Sequence, residues 1–480
     1  MQEREKIEQR FTPFARKMAD HGLDPIVIQT FRHYYGLLVS GETGKIDRSQ
    51  IEPVAEGDIA DLEELHGLQD AGRQAIQKTA IIKLNGGLGT SMGLSKAKSL
   101  LVVKEGLSFL DITARQALTY RENVGASLPL AFMNSFATHE DTLEALQGYP
   151  NLKAGDIPLG FLQHKFPKVL QEDLSPASWP EDPDLEWNPP GHGDIYTSLV
   201  SSGMLERLLA EGITYAFVSN VDNLGAVIDE TILGYFSDGG FPFLMEVADR
   251  TAADTKGGHL ARKKGGGLVL REIAQCPEDE LDEFQDIERY KYFNTNSIWI
   301  NLEALKGLLD RHENVIPLPM IRNPKTLDPR DESSPPVYQL ETAMGSAIAL
   351  FDRPAAVRVP RSRFLPVKKS QDLLGLWSDA YVLGDNYELT RNPAGETGPL
   401  KITLDPSYYK KVDQLRARFP HGAPALVSCA SLDVEGDVRF GKDVEIKGEV
   451  TIRNKTDRSL TIPDGKTISD EVYEADNRTD

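Results

Sequence analysis

The stretch Thr79-Ala-Ile-Ile-Lys-Leu-Asn85, followed by Gly-Gly-Leu-Gly-Thr-Ser-Met-Gly93 and Leu-Ser-Lys-Ala-Lys-Ser99, decides the reading of this chain. An apolar run of strand length ends in a loop with glycine at 86, 87, 89 and 93. Glycine permits positive φ and a close approach of backbone to a ligand. Such a loop after a strand presents successive N–H groups to an anion. Two familiar phosphate loops fail here. In the dinucleotide pattern GxGxxG, the last glycine would follow Gly87-Leu88-Gly89 at position 92, where Met92 stands. The nucleotide-triphosphate loop needs a closing Gly-Lys-Ser/Thr, which is absent. Taken alone, the loop suits a structural turn as well as a phosphate cradle. Lys96 and Lys98 follow closely enough to neutralise phosphate charge, or to lie solvated at the surface.

Around the loop, a helix is expected near Phe109 to Arg121, with further strands at 127–134, 213–221, 241–247, 268–274 and 296–300 and a helix from Thr197 to Glu211. Strands alternating with helices predict an α/β domain with a mostly parallel or mixed sheet. Residues 1–75 read as a helical packing segment, with Phe11, Phe14, Ala15 and Met18, then Ile28, Phe31, Tyr34, Tyr35 and Leu38, at helical spacing. Residues 171–191 and 313–337 are Pro-rich and polar and are expected as long loops. A boundary is expected between 384 and 425. Beyond it, residues 432–452 alternate apolar and polar with Gly436, Gly441 and Gly448 between them, as β-helix coils or a plain small sheet would. The expected units are thus 1–75 helical, 76–383 catalytic, 384–425 linker and helix, and 426–480 β-helix.

The chain has 480 residues, enough for two or three domains and a substantial core. Its 53 basic and 73 acidic residues leave a net charge of −20, which argues against a non-specific nucleic-acid binder. A basic pocket for a small phosphorylated substrate stays compatible with that balance. Cys276 and Cys429 make neither a disulfide framework nor a zinc pattern, and a reducing compartment is the default. The charged start MQEREKIEQRF has no apolar leader, and no run approaches membrane-spanning length. These features lead to the expectation of a cytoplasmic enzyme.

The loop in full, residues 83–99, resembles the signature of the UTP–glucose-1-phosphate uridylyltransferase family, the eukaryotic-type UDP-glucose pyrophosphorylases. MNSFATHEDT (133–142), PPGHGDIYTSL (189–199), FVSNVDNLGA (217–226), KGGHL (256–260), EIAQCP (272–277), FNTNSIWI (293–300), QLETAMGSAI (339–348) and VPRSRFLPVKKSQDLL (359–374) resemble further family blocks, in family order. The resemblance implies an α/β fold: a GT-A-like nucleotidyltransferase domain with a mixed sheet, an N-terminal helical segment and a C-terminal left-handed β-helix. It implies Mg2+-dependent, reversible formation of UDP-glucose and pyrophosphate from UTP and glucose 1-phosphate. Self-association through the C-terminal domain is known for such proteins and is an open expectation here.

The chemistry suits the residues. The sugar phosphate is already an anionic nucleophile for the α-phosphorus, so no general base is required and no Ser-His-Asp arrangement is expected. What must be overcome is repulsion between anions. By resemblance, Leu84, Gly86 and Gly87 hold uridine and phosphate, Lys98 faces the triphosphate, and Lys368 reaches the phosphates from far along the chain. Asp222, at a strand end where ligands of α/β sheets bind, matches the metal carboxylate. Met133 and Gln163 match contacts to the uracil, Gly191 lies near the base, and His192 meets the sugar phosphate. Asn220, Gly258, Glu272, Asn294 and Asn296 match the hexose side. Arg361 and Arg363 are secondary phosphate candidates. The chain departs from the family where Lys96-Ala97-Lys98-Ser99 replaces the frequent Gly-Pro-Lys-Ser, and where Ser297 replaces a frequent Asn. Ser91-Met92 after Gly89-Thr90 favours the glucose enzyme over UDP-N-acetylglucosamine or broad UDP-sugar pyrophosphorylases, whose loops usually carry arginine there. A catalytically inactive UDP-sugar-binding scaffold is the reading from another class, and a nicotinamide-dependent oxidoreductase is weakened by the failed fingerprint.

Overall fold

The computed structural model describes residues 2–395, 398 and 400–474. Positions 396, 397 and 399 of the expected linker, and 475–480 of the expected C-terminal unit, lie outside the described residues. The centre is an eleven-stranded mixed sheet. Its strands are β1 (Ile51–Pro53), β2 (Ala60–Asp61), β3 (Thr79–Asn85), β4 (Leu130–Asn134), β5 (Gly160–Leu162), β6 (Tyr215–Asn220), β7 (Phe243–Asp249), β8 (His259–Lys263), β9 (Leu268–Arg271), β10 (Tyr292–Asn301) and β11 (Ala355–Arg358). The main path runs β2-β11-β7-β10-β6-β3-β4-β5, and β8 joins β1, β9 and β10 at the side. β3 pairs parallel with β6 and β4, whereas β10 is antiparallel to β6 and β7.

β3 is central because all seven of its residues are buried. A strand covered on both faces reads as a continuous apolar run rather than an alternation. Ala80, Ile82 and Leu84 pack into one core, with the helices Ile195–Ser201, Met204–Ala210 and Leu302–Arg311. Ile81 packs into the opposite core, which includes the helix Phe109–Val124 and extends into the C-terminal strands. Ser108 starts that helix by a capping box with Asp111, and Gly125, at φ +62°, ends it.

Several expectations are refined. Thr197 to Glu211 is two helices, because Gly203 adopts φ +67° between them. The expected loop 313–337 contains the strand Ile321–Thr326, paired antiparallel with Pro336–Glu341. Pro324 is tolerated because its strand is an edge of that three-stranded sheet. The N-terminal segment holds helices Gln2–Asp20 and Pro25–Val39, whose aromatic residues form their own core with Phe166 and Trp187; it also supplies β1 and β2 to the large sheet.

Near the C-terminus, Lys401–Leu404, Cys429–Glu435, Glu445–Arg453 and Val472–Glu474 pair in parallel succession. Val438–Phe440 pairs parallel with Leu460–Ile462. Leu432, Val434, Ile446, Val450, Ile452 and Ile468 are buried between these strands.

A buried ion pair ties the sheet to the segment after β11. Glu246 of β7, fully buried, accepts from Arg363 Nε and Nη2 at 2.8 Å each and from Trp299 Nε1 at 2.9 Å. Removing one charge would leave the other desolvated and unmatched, a cost of about 3–5 kcal/mol. Glu246→Gln is therefore expected to lower the denaturant midpoint clearly, as followed by tryptophan fluorescence; an unchanged midpoint would contradict this role.

Candidate active site

The parallel register brings distant residues to one edge. Leu84 lies opposite Asn220 on one side and Met133 on the other, and Asn134 lies opposite Leu162, one residue before Gln163. These are carboxyl ends of strands, where α/β sheets bind ligands. The glycine loop leaves β3 at this edge. Gly89 and Gly93 take φ +69° and +78°, and Lys98 N–H donates to Gly87 O at 3.0 Å. That bond returns Lys98 to the mouth of the loop, while Lys96 stays exposed.

Lys98 Nζ then meets Asp222 Oδ2 at 2.5 Å and also donates to the carbonyl of Val367, the residue before Lys368. Val367 N–H returns a bond to the Asp222 carbonyl at 3.2 Å. Asn223 secures the strap: Oδ1 accepts from Leu365 N at 2.8 Å and Nδ2 donates to Arg363 O at 3.1 Å. A methyl group on Gly225 would stand 2.3 Å from Ser362 O, so only glycine allows this approach. Lys368 itself is exposed, with Nζ 5.5 Å from the Phe364 ring centroid. Arg363 is committed to Glu246, and Arg361 pairs with Asp254 at 2.7 Å, so neither secondary candidate offers an uncommitted guanidinium for phosphate.

On one flank, Gln163 Nε2 donates to Gly191 O at 3.1 Å, and its Oε1 lies where a Gly86 side chain would begin, at 2.6 Å. Gly191, at φ +78°, abuts Thr342 O. His192 Nδ1 accepts from Met344 N–H at 3.0 Å, which places the ring proton of the neutral imidazole on Nε2. Burial pulls the pKa of His192 down to about 4, so the ring is neutral at physiological pH.

Contrary to the expectation that no Ser-His-Asp arrangement occurs, the structure brings one together. Ser201 Oγ lies 2.9 Å from His164 Nε2, and His164 Nδ1 lies 3.1 Å from Asp194. Asp194 also accepts from His164 N–H at 2.7 Å and Ser198 Oγ at 3.0 Å. This carboxylate holds the Gln163-His164 and Gly191-Asp194 segments in mutual register. His164 had no signal beyond its place after Gln163.

On the other flank, Gly258 O accepts from Asn294 N–H at 3.0 Å, and Asn294 Nδ2 donates to Asn296 Oδ1 at 2.9 Å. Asn296 adopts φ +58° beside the β-bulge at Glu246/Val247. A methyl group on Gly258 would fall 2.5 Å from the Glu272 carboxyl. Gly258, Glu272, Asn294 and Asn296 thus form one polar group, with Lys368 in electrostatic reach of Glu272. Lys98, Asp222 and the strap before Lys368 stand at the contact of three chain segments.

A family model for UTP–glucose-1-phosphate uridylyltransferase matches residues 28–447. The chain belongs to that family. UTP–glucose-1-phosphate uridylyltransferase of Solanum tuberosum is 41% identical over 445 residues, covering 92% of this chain and 91% of the relative. The Hordeum vulgare protein of the same name is also 41% identical, covering 90% and 89%. Among solved structures, an L281D mutant of UDP-glucose pyrophosphorylase from Leishmania major, in complex with UDP-glucose, aligns with a TM-score of 0.91. It is 43% identical, over 97% of this chain and 99% of that one. A UDP-glucose phosphorylase from Trypanosoma brucei aligns at a TM-score of 0.88 with 43% identity, over 98% and 100%. Membership in the uridylyltransferase family and the mixed α/β fold therefore agree with the resemblance read from the glycine loop. Among the described residues, no helix is long and apolar enough to cross a membrane.

Burial raises the pKa of Glu272 from 4.5 to about 7, against the lowering influence of Lys368. Between those values the folded chain holds a proton that the unfolded chain has lost, so stability falls as pH rises through this window. Glu272→Gln is expected to raise the melting temperature at pH 8 and to leave it unchanged at pH 4. Equal gains at both values would show that the glutamate carries no such cost.

Proposed function

We propose that this chain joins UTP and glucose 1-phosphate into UDP-glucose and pyrophosphate, by in-line attack of the sugar phosphate on the α-phosphorus. The observation that carries this reading is the meeting of Lys98, Asp222 and the strap before Lys368 between two polar flanks. Leu84, Gly86 and Gly87 offer backbone to uridine and phosphate. Gln163, with one amide that donates and accepts, reads the imide edge of uracil beside Met133 and Gly191. His192 donates from Nε2 to the sugar phosphate as a neutral group. Asn220, Gly258, Glu272, Asn294 and Asn296 receive the hexose hydroxyls.

Asp222 fits a divalent ion only in company. Among the described residues, no cluster of three or more His, Cys, Asp or Glu is placed to hold a metal. Mg2+ commonly takes one or two carboxylates and fills its shell with phosphate and water, so it is expected to arrive with the triphosphate. Bound there, it would neutralise phosphate charge. In the free protein Lys98 occupies that carboxylate. Binding of the nucleotide transfers the Lys98 ammonium from Asp222 to phosphate oxygens. Lys368, exposed at the end of its strap, supplies the second ammonium as charge builds on the leaving pyrophosphate.

The same reading takes the parallel C-terminal strands as coils of a left-handed β-helix and residues 76–383 as the catalytic unit. Val472–Glu474, the last strand among the described residues, offers an edge for self-association. A cytoplasmic setting suits the two buried cysteines. The glucose enzyme is preferred over N-acetylglucosamine or broad-specificity relatives on Ser91-Met92. An inactive scaffold is disfavoured because both lysines and the aspartate are retained and Lys98 is paired with Asp222.

Formation of UTP from UDP-glucose, pyrophosphate and Mg2+ tests the activity, with galactose and N-acetylglucosamine analogues testing the sugar. Lys368→Ala is expected to lower kcat by about 10²–10³, equivalent to about 3–4 kcal/mol. Its dissociation constant for UTP should stay nearly unchanged by calorimetry. Unchanged turnover would remove Lys368 from the mechanism.

A further inference from the structure

Lys83 immediately precedes Leu84 in β3, three residues before the first glycine of the loop, but successive side chains of a strand point to opposite faces. Leu84 faces the core shared with Met133. Lys83 points the other way, with Nζ 5.7 Å from the Phe217 ring centroid. It is only 4% exposed. Its Nζ donates to Ser219 Oγ and to Ala226 O, each at 2.8 Å. Both partners are neutral oxygens, and an amine has capacity for one further contact.

On this face the side chain lines a cavity of about 210 Å³, together with Gln116, Tyr120, Phe217, Glu230 and Glu388. The site described above takes nothing from this cavity. Its walls combine apolar surface with a few hydrogen-bonding groups, as small-molecule sites do. Glu230, held by Arg73 at 2.9 Å, and Glu388 make it inhospitable to anions. A neutral single-ring compound suits it better.

We propose that Lys83 is a nucleophilic amine at the base of a second small-molecule site, one that takes neutral aromatic aldehydes as imines. The amine lone pair attacks the carbonyl carbon, and the C=O π pair moves to oxygen. The two amine protons pass to that oxygen through solvent, water leaves, and a C=N bond remains. The step needs an uncharged amine. Burial draws the Lys83 pKa down from 10.5 to about 7; Arg363 acts in the same sense, and Glu246 and Asp222 oppose it.

The test uses the folded full chain at pH 7 with benzaldehyde and cyanoborohydride, followed by peptide mass spectrometry. It needs no turnover, so it stands or falls apart from the uridylyltransferase reading. Lys83 is expected to be alkylated at least tenfold faster than the exposed Lys78, Lys153 and Lys264. Ala117→Leu, which adds bulk to the cavity lining, is expected to slow Lys83 alone at least fivefold. Labelling of Lys83 no faster than the exposed lysines, or undiminished in Ala117→Leu, would overturn the proposal.

Discussion

The contact between Lys98 and Asp222 is the constraint on which the site depends. It joins the end of the glycine loop to the turn after β6, and the Val367 carbonyl extends the junction to a strap more than a hundred residues further on. Each element alone is ordinary. Together they place an ammonium, a carboxylate and the approach of a second ammonium at one edge of the sheet. The pair is partly shielded from water, with side-chain exposures of 14% and 20%, so its attraction is stronger than that of a surface pair. It satisfies both charges until a more highly charged ligand arrives.

Behind this junction, buried contacts tie together the segments that meet at the site. Nucleotidyl transfer between anions requires placement and charge neutralisation more than proton transfer. The Glu246–Arg363 pair and the Asn223 contacts fix the strap. Asp194 holds the segments bearing Gln163 and His192 in register, and the close backbone approaches at Gly191 and Gly225 leave no room for a side chain. Lys368, by contrast, is the exposed member of the group and can reorient without disturbing the core.

Much of this was legible in the sequence where local chemistry was one-sided. The apolar run at 79–85 pointed to a strand, and the clustered glycines after it pointed to a loop that departs from two common phosphate patterns. The N-terminal helices showed in their aromatic spacing. Other features depend on tertiary placement. Pro324 disguised an edge strand as loop. Gly203 split a helix whose apolar pattern continues through it. Arg361 and Arg363 looked like phosphate ligands because their carboxylate partners, Asp254 and Glu246, lie over a hundred residues away. The Ser201-His164-Asp194 contacts join segments that no spacing rule relates, and the opposite orientations of Lys83 and Leu84 become informative only once both cores are known.

Asp222 is proposed to exchange Lys98 for a divalent ion when the nucleotide binds. Mn2+ titration followed by electron paramagnetic resonance, with and without UTP, on the parent chain and on Asp222→Asn, tests it most directly. Both proteins alone should bind Mn2+ weakly. With UTP, the parent should gain a site that Asp222→Asn weakens at least tenfold. Equal Mn2+ affinity of the two proteins in the presence of UTP would contradict it.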